Sequence, residues 1–429
     1  MQEILTRILH MHSEKGSIKF FKYKNLKLSH LSFADDVLIV IKGNLDNCIR
    51  LQNVLDQYCN LTEQKINILK SELHFPKHCQ DDMKKKIQKV FDFKIRIFPM
   101  NYLLSFISPQ KLDLSHQSLL LHKALKKVEV WDGKGLSQAG RITLINFVMN
   151  SLPMHTLAST WVNDGIIDKF HKISRRYLWQ SSKGKKGFHL IGWKKVILRK
   201  NMGGLGIKDI GLFKFSIQAK RILPFLNKEK CLWIKFLIDK YKDYHPWFCD
   251  SNKKFSWAFK CIHEAIQHLK EGLRKRVGNG ANINIWPWFS DIPINKWPTY
   301  INIELLPNFT KVKDLMLNKE WNYESILNLF GGFHINEITQ IYIPKKNIRD
   351  KWVWKSSKML DCKSAYNYMA ELKHKDGGYS ASWDKIWNLE IIRRVKVFLW
   401  KLLWKTAYVK IPSTIQQGGG KQMLCMWGR

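Results

Sequence analysis

Two adjacent carboxylates, Asp35 and Asp36, stand between apolar, β-rich runs: Leu31-Ser32-Phe33-Ala34 before them and Val37-Leu38-Ile39-Val40 after. No other feature constrains the fold as much. Runs of that composition form strands, and a like-charge doublet between them suits a turn. The segment therefore reads as a strand–turn–strand hairpin, with the pair at its tip and both arms packed into a core. Two like charges desolvated at such a tip are costly unless something compensates them. A divalent cation would do so. Mg²⁺ takes hard oxygen ligands and bridges carboxylates to phosphates, which is the logic of two-metal phosphoryl transfer. Asp35 and Asp36 are thus the candidate catalytic and metal-binding residues.

Around this hairpin the hydrophobic period changes. Ile18 to Tyr23 alternate with lysines, as a strand would. From Asn44 the period becomes helical: Cys48, Leu51, Leu55 and Tyr58 share a face, and Asn44 is placed to cap its start. Further helices are predicted over 112–130, 164–180 and 209–226, and from Lys363 to Leu372 and Arg393 to Ala407. Another is predicted over 137–150, with Ser137 as N-cap and Pro153 closing it. Between about 276 and 350 the chain turns Asn-, Pro- and Trp-rich, with Gly278-Asn279-Gly280 as a turn signal, and reads as a linker. The fold class expected is α+β, mainly helical, with a small antiparallel sheet at the N-terminal end.

Charge points to the partner. The 429 residues carry 72 Lys and Arg against 35 Asp and Glu, a net charge of +37. Such an excess repels itself and calls for an anionic partner. It is concentrated: no acidic residue occurs between Asp168 and Asp209. That interval holds Lys169, Lys172, Arg175, Arg176, Lys183, Lys185, Lys186, Lys194, Lys195, Arg199, Lys200 and Lys208, interleaved with Phe170, Tyr177, Trp179, Phe188 and Trp193. Cations for phosphates and aromatics for stacking compose a nucleic-acid path, and nothing in it argues base readout. RNA and DNA are the expected partners. A membrane is not: no apolar run is long enough to cross a bilayer, and Met1 to His10 lack the layout of a secretory signal. The eight cysteines are scattered, with no Cys-x-x-Cys pair, and read as reduced thiols of an intracellular protein, nuclear or cytoplasmic. His245, Cys249, Cys261 and His263 have the spacing of no zinc module, and Gly203-Gly204-Leu205-Gly206 lacks the lysine of a phosphate loop.

Phe33-Ala34-Asp35-Asp36 resembles the aromatic-Ala-Asp-Asp box of reverse transcriptases, and the segments downstream of it resemble the LINE-type (non-LTR) retrotransposon polymerases abundant in plants. Lys65, Asn67, Lys70 and Ser71 match that family's Lys-x-Asn-x-x-Lys-Ser segment. Asn101-Tyr102-Leu103 is similar to its Tyr-Leu-Gly box, with Leu104 in place of the glycine. Leu136-Ser137-Gln138-Ala139-Gly140-Arg141 resembles its Leu-Ser-x-Ala-Gly-Arg helix. His189 to Trp193 and Gly203 to Gly206 resemble its His-x-x-x-Trp and Gly-Gly-Leu-Gly boxes. Gly278-Asn279-Gly280 with Trp286 and Trp288 resembles its Gly-x-Gly region. Lys363-Ser364-Ala365-Tyr366, Ile386-Trp387 and Lys396 to Trp400 resemble the zinc-binding domain appended to these polymerases. The resemblance runs in order along nearly the whole chain.

It implies RNA-directed DNA synthesis on a template–primer. Asp35 would be the direct Mg²⁺ ligand and Asp36 a secondary one; Lys65 or Lys70 would meet the incoming triphosphate, and Arg141 would lie in the thumb that grips the template–primer duplex, as a nucleic-acid-binding residue in contact with a phosphate. It implies four regions: the end of the palm over 1–75, thumb and basic helical connection over 76–230, a Trp/Asn/Pro-rich connection over 231–345, and a truncated zinc-binding-like domain over 346–429. The fingers and the strand bearing a third aspartate are expected upstream and absent, so the metal site is expected to be incomplete without a complementing polymerase chain. Cys425 is the remnant of the Cys-x-x-Cys zinc ligands, with Gly428 where the second cysteine belongs, and zinc is not expected. Two readings remain: a polymerase fragment unable to extend a primer alone, and a non-catalytic, sequence-tolerant RNA/DNA-binding protein derived from such an element.

Overall fold

The chain is mainly helical with short two-stranded ladders, the α+β class that its sequence predicts. The computed structural model describes residues 2–103, 105–131, 135–180, 187–242, 244–246, 255–285, 310–332, 335–355, 359–373 and 381–404. It divides into two units. One comprises Met1–Leu112, Ser159–Trp161 and Gln218–Asp361; the other comprises Asp113–Ala158, Val162–Ile217 and Cys362–Arg429.

In the first unit the apolar face of helix Leu45–Thr62 (Cys48, Leu51, Val54, Leu55 and Tyr58) packs with Leu5 and Leu9 of helix Gln2–Glu14 and with Ile87 and Phe91 of helix Asp81–Phe91. Burying such side chains contributes about 1.5–3 kcal/mol each, which is why the helical period is visible in the sequence. Asn44 sits in extended backbone at the N-cap position but makes no capping hydrogen bond. The polar work falls instead to the buried Asn47. Its side chain accepts from Lys19 N at 2.7 Å and donates to the carbonyls of Lys19 at 3.0 Å and Lys42 at 2.9 Å, tying the helix to the strands.

Those strands form separate ladders rather than one sheet. Phe21–Tyr23 pairs antiparallel with Leu26–Leu28, and His30–Phe33 with Asp36–Ile39. Glu72–His74 and Lys94–Arg96 pair in parallel across helix Asp81–Phe91, which the sequence pattern did not indicate.

Within the stretch expected to be a linker, a small core assembles from Val277, Ile283, Ile285, Val312, Leu315, Ile326, Leu329 and Phe330. Its entry turn is Gly278-Asn279-Gly280. Asp350 closes that turn: one carboxylate oxygen accepts from the N–H groups of Gly278 at 2.7 Å and Gly280 at 2.9 Å, the other from Asn282 N at 2.8 Å. The linker expectation fails because Asn and Pro density suggests loose chain, whereas sparse, well-spaced Ile, Leu and Val suffice for a core.

The second unit is built on helices Leu114–Trp131, Gln138–Phe147 and Asp164–Trp179, with Met149, Phe170 and Trp400 fully buried. Ser137 Oγ accepts from Gly140 N, the N-cap that the sequence predicts; the helix ends at Phe147, before Pro153. The predicted helix over 209–226 is two helices, Ile210–Ser216 in this unit and Ala219–Leu226 in the other.

Gly203-Gly204-Leu205-Gly206 is a turn that backbone crowding demands. A Cβ on Gly204 would lie 1.9 Å from the Leu198 carbonyl oxygen; Gly203 has φ +86° and faces the Trp383 ring. The Gly203 carbonyl then accepts from the indole N–H groups of Trp400 at 2.7 Å and Trp404 at 3.0 Å.

A buried polar junction forms at Asp209. Its carboxylate accepts from Gly211 N at 2.9 Å as an N-cap and from Lys373 Nζ at 2.8 Å; its own N–H donates to Tyr366 Oη at 2.9 Å. His171 Nε2 accepts from Ile210 N at 3.1 Å, so its neutral tautomer carries the proton on Nδ1. Burial works to raise the Asp209 carboxyl, but Lys373, His171 and the Gly211 N–H together hold it below the usual carboxylate range. Burial holds the His171 imidazole low, against the pull of Asp209 and Asp168, and pushes the Tyr366 phenol up to about 12.

Two outcomes are expected. Gly204→Ala forces a shift of backbone, not of a flexible side chain, and should cost about 3 kcal/mol, a fall in Tm of roughly 5–10 °C by calorimetry. Both the His171 and Asp209 pKa values lie below their unfolded values, so the unfolded chain takes protons first as pH falls. Stability from His171 is full above about pH 6.5 and declines below it; that from Asp209 is full above about pH 4 and is lost as pH falls through its folded pKa. Tm measured against pH should therefore drop on the acid side. His171→Gln should flatten the decline between about pH 7 and 5, and an unchanged slope would contradict this assignment.

Candidate nucleic-acid interface

The first unit presents the aspartate hairpin. Phe33 pairs with Asp36, leaving Ala34 and Asp35 as a two-residue loop, with Ala34 at φ +50°. The topology is the one predicted; the environment is not. Val37 and Ile39 pack against the core beneath, but Leu31 and Phe33 face outward, Phe33 at 62% exposure, and both carboxylates are exposed. Only one face of this ladder is covered, so the desolvation inferred from the apolar flanks does not arise. Among residues that the motif matches, Tyr102 comes into electrostatic reach. Burial and, behind it, the charge of Asp36 raise its phenol above the ordinary range. Its strand, Met100–Tyr102, turns back through Leu103 at φ +49°. Among the described residues no group of three His, Cys, Asp or Glu side chains is arranged to hold a metal ion. Asp35 and Asp36 therefore offer two hard oxygen donors, suited to Mg²⁺ in kind but short of a full set.

Lys65 lies exposed just beyond helix Leu45–Thr62, and Lys70 exposed on the next turn. The motif around them explains itself locally. The Asn67 carbonyl accepts from the N–H groups of Lys70 at 3.1 Å and Ser71 at 3.0 Å and from Ser71 Oγ at 2.9 Å, closing the turn. Arg141 is engaged internally. It donates to the carbonyls of Gln180 and, at 3.4 Å, Tyr177, with its guanidinium 5.8 Å from the Tyr177 ring. A cation there satisfies the carbonyl end of helix Asp164–Trp179, and a phosphate contact would have to use its remaining N–H groups.

The second unit gathers the basic path. On helix Asp164–Trp179 the residues Ile166, Ile167, Phe170, Ser174, Tyr177 and Leu178 face inward, which leaves Lys169, Lys172 and Arg176 outward and Arg175 half-buried at the margin. None of these four cations, nor Lys194, forms a salt bridge with a described residue. Arg175 then joins Leu190, Ile191, Gly192, Trp193, Lys194, Lys195 and Trp404 around an open groove of about 410 Å³. Lys195 Nζ stands 4.1 Å from the Trp404 ring centroid, and Phe188, two residues before the lining Leu190, is 91% exposed. Cations and aromatic faces are thus brought to one surface with no carboxylate among the lining residues. Sequence reasoning named Arg175, Trp193, Lys194 and Lys195 but missed Trp404, which comes from far along the chain; its indole bond to Gly203 carried no sequence signal. Lys183, Lys185, Lys186 and Cys425 lie outside the described residues, as do Cys249, Trp286 and Trp288. His263 Nδ1 shares a 2.9 Å hydrogen bond with Tyr244 Oη.

No family model matches the chain. Over 299 residues, 66% of its length, it is 25% identical to an Arabidopsis thaliana protein named "Putative ribonuclease H protein", of which the match spans 47%. The chain thus spans about half the length of that relative. Over 145 residues, 33% of its length, it is 23% identical to an Arabidopsis thaliana protein named "Uncharacterized mitochondrial protein", of which the match spans 94%. Both relatives are plant proteins. Among the described residues no helix is long and apolar enough to cross a membrane.

Proposed function

We propose that this chain is the C-terminal portion of a plant LINE-type retrotransposon reverse transcriptase, and that its own activity is sequence-tolerant binding of RNA and DNA. The groove around Arg175, Lys194, Lys195, Trp193 and Trp404 carries the reading: cations with no salt bridge among the described residues, beside aromatic faces, are what a phosphate backbone and its bases require. The +37 charge supports a polyanionic partner, and so does a relative named as a ribonuclease H protein. The ordered series of reverse-transcriptase-like motifs supports the lineage.

Polymerisation is a different matter. Phosphoryl transfer of this kind rests on positioning and charge stabilisation by metal ions. Asp35 and Asp36 are the residues that would hold Mg²⁺, and Lys65 or Lys70 the ones to meet a triphosphate. The two carboxylates need a third from elsewhere, which a complementing polymerase chain would supply. The zinc-binding-like region is read as lacking its metal.

Two experiments separate binding from chemistry. Wild-type chain should bind single-stranded RNA and DNA of unrelated sequence with affinity that falls steeply with salt. Combined Arg175→Ala, Lys194→Ala and Lys195→Ala should weaken binding by about tenfold or more at physiological salt and reduce the slope of log K against log salt by roughly 2–3. An affinity indifferent to salt would sink the binding reading. In a primer-extension assay with template, dNTPs and Mg²⁺, the chain alone should give no product; template-dependent extension abolished by Asp35→Ala would overturn the claim of inactivity.

A further inference from the structure

Helix Leu45–Thr62 buries one face, and a second face carries Arg50, Asn53 and Gln57 beside Val54, positions three, four and seven residues apart. With His12 and Ser17 from the end of helix Gln2–Glu14 and the residues after it, they line a pocket of about 260 Å³. None of its described lining residues belongs to the aspartate loop or to a reverse-transcriptase-like motif.

The lining is unusual for a helix C-terminus, where exposed carbonyls repel anions. Here the carbonyls of His12, in the last turn, and of Ser17, beyond the helix, are already engaged. Arg50 Nη1 donates to the Ser17 carbonyl at 2.8 Å; Ser17 Oγ donates to the His12 carbonyl at 3.2 Å, and His12 Nδ1 shares a 2.8 Å hydrogen bond with Ser17 Oγ. The guanidinium is therefore held in place by one N–H while its others stay available, and the acceptors that would oppose an anion are occupied. The side-chain amides of Asn53 and Gln57 make no hydrogen bond within the described residues, so both offer donors. No carboxylate is among the described residues that line the pocket. At roughly 30 Å³ per water, it has room for a tetrahedral oxyanion and its remaining hydration.

We propose that this pocket is a phosphate subsite, with the pinned Arg50 as its charged fork and Asn53 and Gln57 as neutral donors. The phosphate would come from a nucleic-acid backbone or from a free phosphorylated small molecule. This inference stands apart from the groove reading, since it uses the other unit and none of the groove's residues.

The test uses the full chain and two probes, inorganic phosphate and a ten-residue thymidine oligonucleotide, by titration calorimetry. Because any loss of charge weakens anion binding to so basic a protein, Lys86→Ala on exposed helix surface serves as the control for one lost charge. Arg50→Ala, and separately the charge-neutral pair Asn53→Ala with Gln57→Ala, should each weaken phosphate binding by about tenfold, with Lys86→Ala near wild type. If the oligonucleotide weakens in parallel, the source is a backbone phosphate; if only inorganic phosphate does, the source is a small molecule. Equal affinities in all variants, or Arg50→Ala no weaker than Lys86→Ala with the neutral pair unchanged, would overturn the proposal. Thermal melting of each variant separates loss of the site from loss of the fold.

Discussion

The second unit is organised by one buried carboxylate. Asp209 is almost wholly excluded from water, and a buried charge is tolerated only when it is paired and hydrogen-bonded. Its partners come from three stretches far apart in sequence: the helix it caps, Lys373 and Tyr366 of helix Cys362–Lys373, and His171 of helix Asp164–Trp179 through the adjoining Ile210 N–H. Removing Lys373 would leave the buried carboxylate without its cationic partner, a loss moderated because the lysine itself is half-exposed. The carboxylate thus makes the C-terminal segment an obligatory part of this unit. That matters for function, because the same segment brings Trp400 into the core and Trp404 to the groove, both fastened to the Gly203 carbonyl.

The two charge-bearing features differ in how their surroundings treat charge. The groove cations, Lys195 against the Trp404 indole, have no carboxylate partner among the described lining residues, so a phosphate there would meet little competition. The aspartate pair stands in water on a ladder covered on one face only, so no buried charge there demands an ion. Hard oxygen donors in the right order are a matter of ligand type; a metal centre also needs number and enclosure. Binding is therefore the better supported activity, and metal chemistry depends on groups brought from outside the pair.

What could be read from the sequence was what depends on local periodicity or on a single backbone demand. The faces of helices Leu45–Thr62 and Asp164–Trp179, the Ser137 cap and the Asp35–Asp36 hairpin all follow from spacing within a few residues. What could not be read depends on partners distant in the chain. Asn44 had the right residue type for a cap, yet Asn47 was the one to find carbonyls on the two segments that the Phe20–Ile41 bridge joins. Arg141, placed in the thumb by resemblance, is engaged by the carbonyl end of another helix, a contact that no local spacing signals. The apolar flanks of the aspartates implied burial on both sides because periodicity says nothing of whether a second layer exists to cover the outer face.

The Gly278-Asn279-Gly280 turn shows why exposed backbone donors and basic composition are not interchangeable signals. Three N–H groups converge there as they do in anion-binding nests, and a Cβ on Gly278 would strike the Ile348 carbonyl oxygen at 2.2 Å, so the glycine is required for the close approach. The converging donors are satisfied by the chain's own Asp350, however, and the turn serves to close a strand rather than to receive a ligand. The groove has the opposite arrangement: its lining contains no carboxylate to fill the role Asp350 plays, and its aromatic rings cannot neutralise a lysine as a carboxylate does. Where a fold supplies its own anion to a cluster of donors, that cluster is structural; where it withholds one across a surface this basic, the electrostatic free energy is left for a partner to gain.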